Sequence, residues 1–125
     1  MRLLLDTHLL LWWLADEMRI PEKHREIIRD GKNQVLVSTA SAWEVAIKQR
    51  LGKLRAPADL KSQLKAARFE LLNITIDHAL AVGELPDHHS DPFDRMLIAQ
   101  ARIEGLTLVT EDPKFRSYDL TILGR

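Results

Sequence analysis

Short apolar runs recur along this chain, and a stretch of helical periodicity separates each from the next. Leu3–Leu5, Val35–Val37, Leu71–Ile74, Leu106–Val109 and Thr121–Leu123 read as strands. These runs show little polar alternation, as expected of strands buried on both faces, and helical crossovers between them demand parallel pairing. The pattern predicts an α/β fold, a three-layer α/β/α sandwich around a central, mostly parallel sheet. The intervening helices are predicted over Thr7–Ala15, Pro21–Arg29, Ala40–Leu51, from Pro57 or Ala58 to about Arg68, from Thr75 to about Leu85, and over Asp91–Glu104. Pro21 suits a first turn, Thr75 a cap, and Gly31, Gly52, Pro86 and Gly105 supply stops. The third of these helices carries an apolar face of Trp43, Ile47 and Leu51 at spacing four.

A chain of 125 residues suits one domain, expected over residues 1–125, with no linker, repeat or low-complexity tract. Arg2 followed by leucines and tryptophans imitates a signal peptide. Asp6 interrupts the apolar run, however, and the seven residues Leu9–Ala15 are too short to span a bilayer. A soluble, cytoplasmic protein is expected. The chain has no cysteine, which excludes disulfide frameworks and thiolate zinc sites.

Four acids stand where strands give way to helices or where helices begin. Asp6 follows the first strand, Glu44 lies just past the second, Asp94 opens the Asp91–Glu104 helix and Asp112 follows Leu106–Thr110. Ligands of open parallel sheets bind beyond the carboxyl ends of the strands. Carboxylates gathered there repel one another, and a hard divalent cation relieves the repulsion. Each acid also has a local explanation. Asp6 can cap the first helix, Glu44 can pair with Lys48 one turn on, Asp94 suits a helix N-terminus and Asp112 can start a turn before Pro113. Asp91 reads as an N-cap before Pro92, so Asp94 is the better ligand candidate of the two. Thr7, Ser38 and Thr110 accompany the acids, either as auxiliary groups that orient a carboxylate or as ordinary caps.

The five histidines lack ligand spacing, so surface roles are expected; His88 and His89 fall in a polar loop, near enough to Asp94 for a minor part in substrate contact. The net charge is zero, but Lys48–Arg68 holds seven basic residues against the single acid Asp59, a local +6. Lys48 and Lys53 there are candidates for gripping a phosphate backbone; the alternative is a solvated helical surface.

The segments Leu4-Leu5-Asp6-Thr7-His8, Ser41-Ala42-Trp43-Glu44-Val45-Ala46-Ile47-Lys48 with Leu51-Gly52-Lys53-Leu54, Asp91-Pro92-Phe93-Asp94-Arg95-Met96-Leu97-Ile98-Ala99-Gln100-Ala101, and Leu108-Val109-Thr110-Glu111-Asp112 occur in this order. Together they resemble the PIN-domain ribonucleases, most closely the VapC toxins of toxin–antitoxin pairs, over nearly the whole chain. The resemblance implies that Asp6, Glu44, Asp94 and Asp112 are the catalytic, metal-binding acids, with Thr110 as helper. It implies Mg²⁺ or Mn²⁺ as cofactor, RNA as substrate, a homodimer, and neutralisation by a VapB-type antitoxin. Metal-assisted in-line attack by water predicts products with a 5′ phosphate and a 3′ hydroxyl. The first helix is apolar all round, which predicts burial on more than one face, with Trp12 or Trp13 free to contact a partner. The alternatives are a non-catalytic RNA-binding protein of this fold and a metal-dependent DNA nuclease or phosphatase.

Overall fold

The computed structural model describes residues 1–124. Its strands are β1 (Arg2–Leu5), β2 (Gln34–Ser38), β3 (Glu70–Leu72), β4 (Thr107–Thr110) and β5 (Ile122–Gly124), and its helices are α1 (Thr7–Ala15), α2 (Glu22–Arg29), α3 (Thr39–Arg50), α4 (Leu60–Ala66), α5 (Ile76–Val82) and α6 (Pro92–Glu104). Short 3-10 turns cover Glu17–Arg19 and Pro113–Ser117. The sheet has the order β3-β2-β1-β4-β5, and every neighbouring pair is parallel. This is the α/β architecture with a parallel sheet that the apolar runs predict.

Alternation along β1 sets the layers. Leu3 and Leu5 join Leu9, Leu10, Val35, Val37 and Val109 in one core, while Leu4 joins Leu36, Leu97, Ile98, Leu108 and Phe115 in the other. One core thus lies under α1, α2 and α4, the second under α5 and α6. All three leucines of β1 are fully buried, so truncating any of them to alanine costs about 2–5 kcal/mol.

Several elements differ from the sequence expectation. The fourth helix is shorter than predicted, because Asp59 takes a left-handed conformation (φ 54°) and caps it through a bond from the Ser62 amide. The third strand is Glu70–Leu72, and the helix capped by Thr75 ends at Val82. The largest correction concerns α3. Trp43 and Leu51 are more than half exposed, and Trp43 makes a T-shaped contact with Phe93, with ring centroids 5.2 Å apart. The buried face of α3 holds Ala40, Ser41, Glu44 and Val45 instead. This helix packs against both α1 and α6, and close approach on two sides favours small side chains over the bulky row.

Strand order places β2 and β3 on one side of β1, and β4 and β5 on the other. The order therefore reverses between β1 and β4, and a crevice opens beyond their carboxyl ends. Asp6 immediately follows β1, and Asp112 lies two residues beyond β4. Because α3 starts directly after β2 and reaches both α1 and α6, Glu44 is carried over the same crevice.

Candidate metal centre

Asp6, Glu44, Asp94 and Asp112 line one cavity of about 240 Å³, together with Lys48 and Asp91. Asp6, Glu44 and Asp112 are also engaged locally, in the way their sequence positions suggest. Asp6 Oδ1 accepts from the Leu9 amide (2.7 Å) and so caps α1, while its Oδ2 accepts from the Thr110 hydroxyl. Glu44 Oε2 is paired with Lys48 Nζ. Asp112 Oδ1 accepts from the Lys114 amide (3.0 Å). Asp91 caps α6 by accepting from the Asp94 amide (2.9 Å), which leaves the Asp94 side chain free of that duty. Capping and clustering are therefore not competing explanations. The caps fix the carboxylates in the positions where they crowd.

The crowding is visible in the proton affinities. Burial pushes the Asp94 carboxyl up to about 8, and the negative charges of Asp91, Glu44, Asp6 and Asp112 push in the same direction. Burial also raises Asp6; Asp112 adds to this, while the Thr110 hydroxyl, the Leu9 amide and His8 oppose it. The hydrogen bond to Glu44 holds the Lys48 ammonium above its ordinary range, against the opposing effect of burial. Lys48 thus brings a positive charge into the cluster, paired with Glu44.

The donor set suits a hard divalent ion. Carboxylate oxygens dominate it, as Mg²⁺ and Mn²⁺ prefer. Glu44 Oε1 is buried and has no hydrogen-bond partner among the described residues, a state that costs about 1–3 kcal/mol or more for a charged group unless something else satisfies it. A cation shared with the neighbouring acids would do so. Asp94, Asp112 and His89 each offer a donor atom, and the three atoms lie within 4.8 Å of one another.

His89 is the residue that sequence reasoning underrated. Its side chain is 8% exposed rather than on the surface, and its Nε2 lies 2.8 Å from Asp94 Oδ2. The only sequence hint is a histidine pair shortly before Asp94. His24 and His78 are buried too, against the surface expectation. His78 closes a capping box with Thr75 and contacts Glu104 at 2.9 Å.

The remaining candidates separate. Thr7 lines the cavity and donates to the Ser41 hydroxyl (2.9 Å), tying α1 to α3. Thr110 donates to Asp6 and accepts from the Asp112 amide (3.0 Å), so one hydroxyl links two of the acids. Ser38 is fully buried and caps α3 by accepting from the Ala40 amide (3.0 Å). Lys53 is exposed in the turn after α3, outside the cavity lining. Trp12 lines both the acid cavity and an adjoining groove walled by Leu11, Leu14, Arg19, Arg55 and Pro57. Trp13 instead packs against Phe69, with ring centroids 6.1 Å apart, and under the Arg29 guanidinium.

Comparison with known proteins agrees with this architecture. The profile of the PIN domain family matches residues 3–120. Ribonuclease VapC22 of Mycobacterium tuberculosis is 30% identical over 118 residues, covering 92% of this chain and 90% of that protein. Ribonuclease VapC16 of the same organism is 42% identical over 57 residues, which span 44% of this chain and 40% of that protein. Among solved structures, VapBC2 from Rickettsia felis, bound to a DNA fragment from its promoter, superposes with a TM-score of 0.75 at 19% identity, covering 99% of this chain and 98% of that one.

Proposed function

The chain belongs to the PIN-domain family, and from that membership we propose that it is a metal-dependent endoribonuclease toxin of the VapC type, formed by a single domain over residues 1–125. The observation that carries the reading is the convergence of Asp6, Glu44, Asp94 and Asp112 on one cavity at the point where strand order reverses. The similarity to the two mycobacterial ribonucleases supports RNA as the substrate.

Asp6, Glu44, Asp94 and Asp112 would hold Mg²⁺ or Mn²⁺. Such an ion supplies activation of water for attack on phosphorus and neutralisation of charge on the phosphoryl oxygens. The chain's own residues do the rest. The Thr110 hydroxyl and the Leu9 amide fix the Asp6 carboxylate in one orientation. Lys48, on the cavity wall, offers a positive charge that can meet a phosphate as well as Glu44. Trp12 and Phe115 give the cavity apolar walls, which strengthen the electrostatics inside it. Hydrolysis by in-line attack leaves a 5′ phosphate and a 3′ hydroxyl. The ribose 2′ hydroxyl is not the nucleophile in this scheme, so preference for RNA must arise from contacts to that hydroxyl or from strand shape.

The proposed partner is a VapB-type antitoxin, with the protein itself a homodimer in the cytoplasm. No helix among the described residues is long and apolar enough to cross a membrane. Trp12 is the better placed of the two tryptophans for a partner contact, because it borders both the acid cavity and the Arg19–Arg55 groove.

The deciding experiment compares wild type with Asp6→Ala on total RNA, in Mg²⁺ and in EDTA. Cleavage by wild type in Mg²⁺ alone is expected. Cleavage that survives EDTA, or that Asp6→Ala retains, removes the metal mechanism; binding of RNA without cleavage favours the non-catalytic alternative. Faster turnover of single-stranded DNA or a small phosphoester reassigns the substrate.

A further inference from the structure

We propose that His89 is a positioning residue for the candidate ligand Asp94, and that Arg95 holds His89 in place by tying down the connection between α5 and α6. This rests on the metal-dependent reading of the same site and adds to it a pair of residues outside the acid set.

The imidazole is placed as a hydrogen-bond donor. Its Nδ1 faces the Asp91 amide at a long 3.4 Å, and an N–H pointing at a ring nitrogen makes that nitrogen the acceptor. With Nδ1 as the acceptor, the ring N–H falls on Nε2, 2.8 Å from Asp94 Oδ2. A carboxylate bonded through one oxygen keeps the other oriented for a cation, and such outer contacts are part of what makes a metal site. The ring is also fixed by packing: it meets Phe115 edge-on, with centroids 5.8 Å apart and planes at 77°. Its backbone is fixed as well, since the His89 amide donates to the Tyr118 hydroxyl (2.9 Å).

Arg95 explains how a loop residue is held this firmly. Its side chain is only 12% exposed. One guanidinium nitrogen donates to the carbonyls of Pro86 (3.0 Å) and His89 (3.1 Å), and the other to those of Val82 (2.9 Å) and Leu85 (3.1 Å). Tyr118 reinforces the tie by donating to the Pro86 carbonyl (2.8 Å). Only the branched, planar fork of arginine can span four carbonyls at once; a lysine ammonium is a single point with fewer donors. Arg95 directly follows Asp94 on α6. One helix turn therefore presents the carboxylate and also anchors the loop that orients it.

The test is Mn²⁺ binding to the RNA-free full chain, read by electron paramagnetic resonance of the free ion, with circular dichroism as the folding control. His89→Ala is expected to weaken Mn²⁺ binding by about 10–100-fold. His89→Gln, whose amide N–H reaches about as far, is expected to restore binding to within about threefold of wild type. Arg95→Lys is expected to weaken it in the same direction as His89→Ala. Wild-type affinity in His89→Ala overturns the inference while leaving the metal reading intact. A folded His89→Gln as weak as His89→Ala makes the ring a direct ligand and overturns the positioning role. Should His89→Ala fail to fold, wild type against His89→Gln decides on the same threefold criterion. A wild type that takes up no Mn²⁺ sinks the metal reading and this inference together.

Discussion

Replacing Asp94 by asparagine tests the electrostatics of the cluster directly, because it removes one charge and little else. In the unfolded chain this carboxyl has its ordinary value of 3.8; in the fold it is pushed up to about 8 by burial and by Asp91, Glu44, Asp6 and Asp112. Between those values the folded state binds more protons than the unfolded one, so stability is full below the lower value and declines as pH rises toward the upper. At pH 7 the shift sets a ceiling of about 4 kcal/mol on the destabilisation, at about 1.4 kcal/mol per unit. The side chain is 19% exposed, and solvent screening at the cavity mouth brings the effect down to about 1–2 kcal/mol. Where the folded carboxyl ionises, asparagine also forfeits the favourable charge at the helix start, about 0.3–1 kcal/mol. It leaves the cap untouched, since Asp91 accepts from the backbone of residue 94. The net gain is about 1 kcal/mol, a rise in melting temperature of roughly 3–6 °C for a chain of this size. Calorimetry in EDTA should find the gain near zero below about pH 4, growing toward pH 8 and levelling above it. Saturating Mg²⁺ should reverse the order, because the ion stabilises wild type more, by about 2.7 kcal/mol at a hundred times its Kd. Cleavage should be lost. A melting temperature that falls by the same amount at every pH in EDTA would refute the repulsion argument and leave Asp94 a structural residue.

Asp91→Asn should also raise metal-free stability, by less than about 1 kcal/mol, since asparagine caps as well as aspartate and one charge facing Asp94 disappears; unlike Asp94→Asn it should keep cleavage, and loss of activity would promote Asp91 to a ligand. Lys48→Met carries the opposite sign. It strips the cation from Glu44, whose side chain is 4% exposed, and should cost about 1–3 kcal/mol in EDTA, with Mg²⁺ narrowing the gap; thermal melts that match wild type would show the pair to be idle. Addition of a VapB-type antitoxin should shift the fluorescence of Trp12. The measurement needs a Trp43→Phe background, because Trp43 is 60% exposed and would add its own solvent-sensitive signal. An unchanged spectrum in that background would move the docking surface elsewhere.

Much of this protein is legible without coordinates. The strands and their parallel pairing follow from apolar runs divided by helices, and the caps at Thr75 and Asp91 and the glycine stop at Gly105 are local signals that act locally. The four acids could be singled out because their positions relative to strand ends are a property of order along the chain. Local pattern could not say which face of α3 is buried. Spacing favours the row of Trp43, Ile47 and Leu51, but two flanking helices select the face carrying Ala40, Ser41, Glu44 and Val45, and so turn Glu44 inward. Nor could it place His89, whose loop is shaped by carbonyl contacts to Arg95 and a bond to the distant Tyr118. Periodicity and capping are decided between residues a few positions apart, whereas convergence on a shared cavity depends on how crossovers stack and on what each packed neighbour leaves room for.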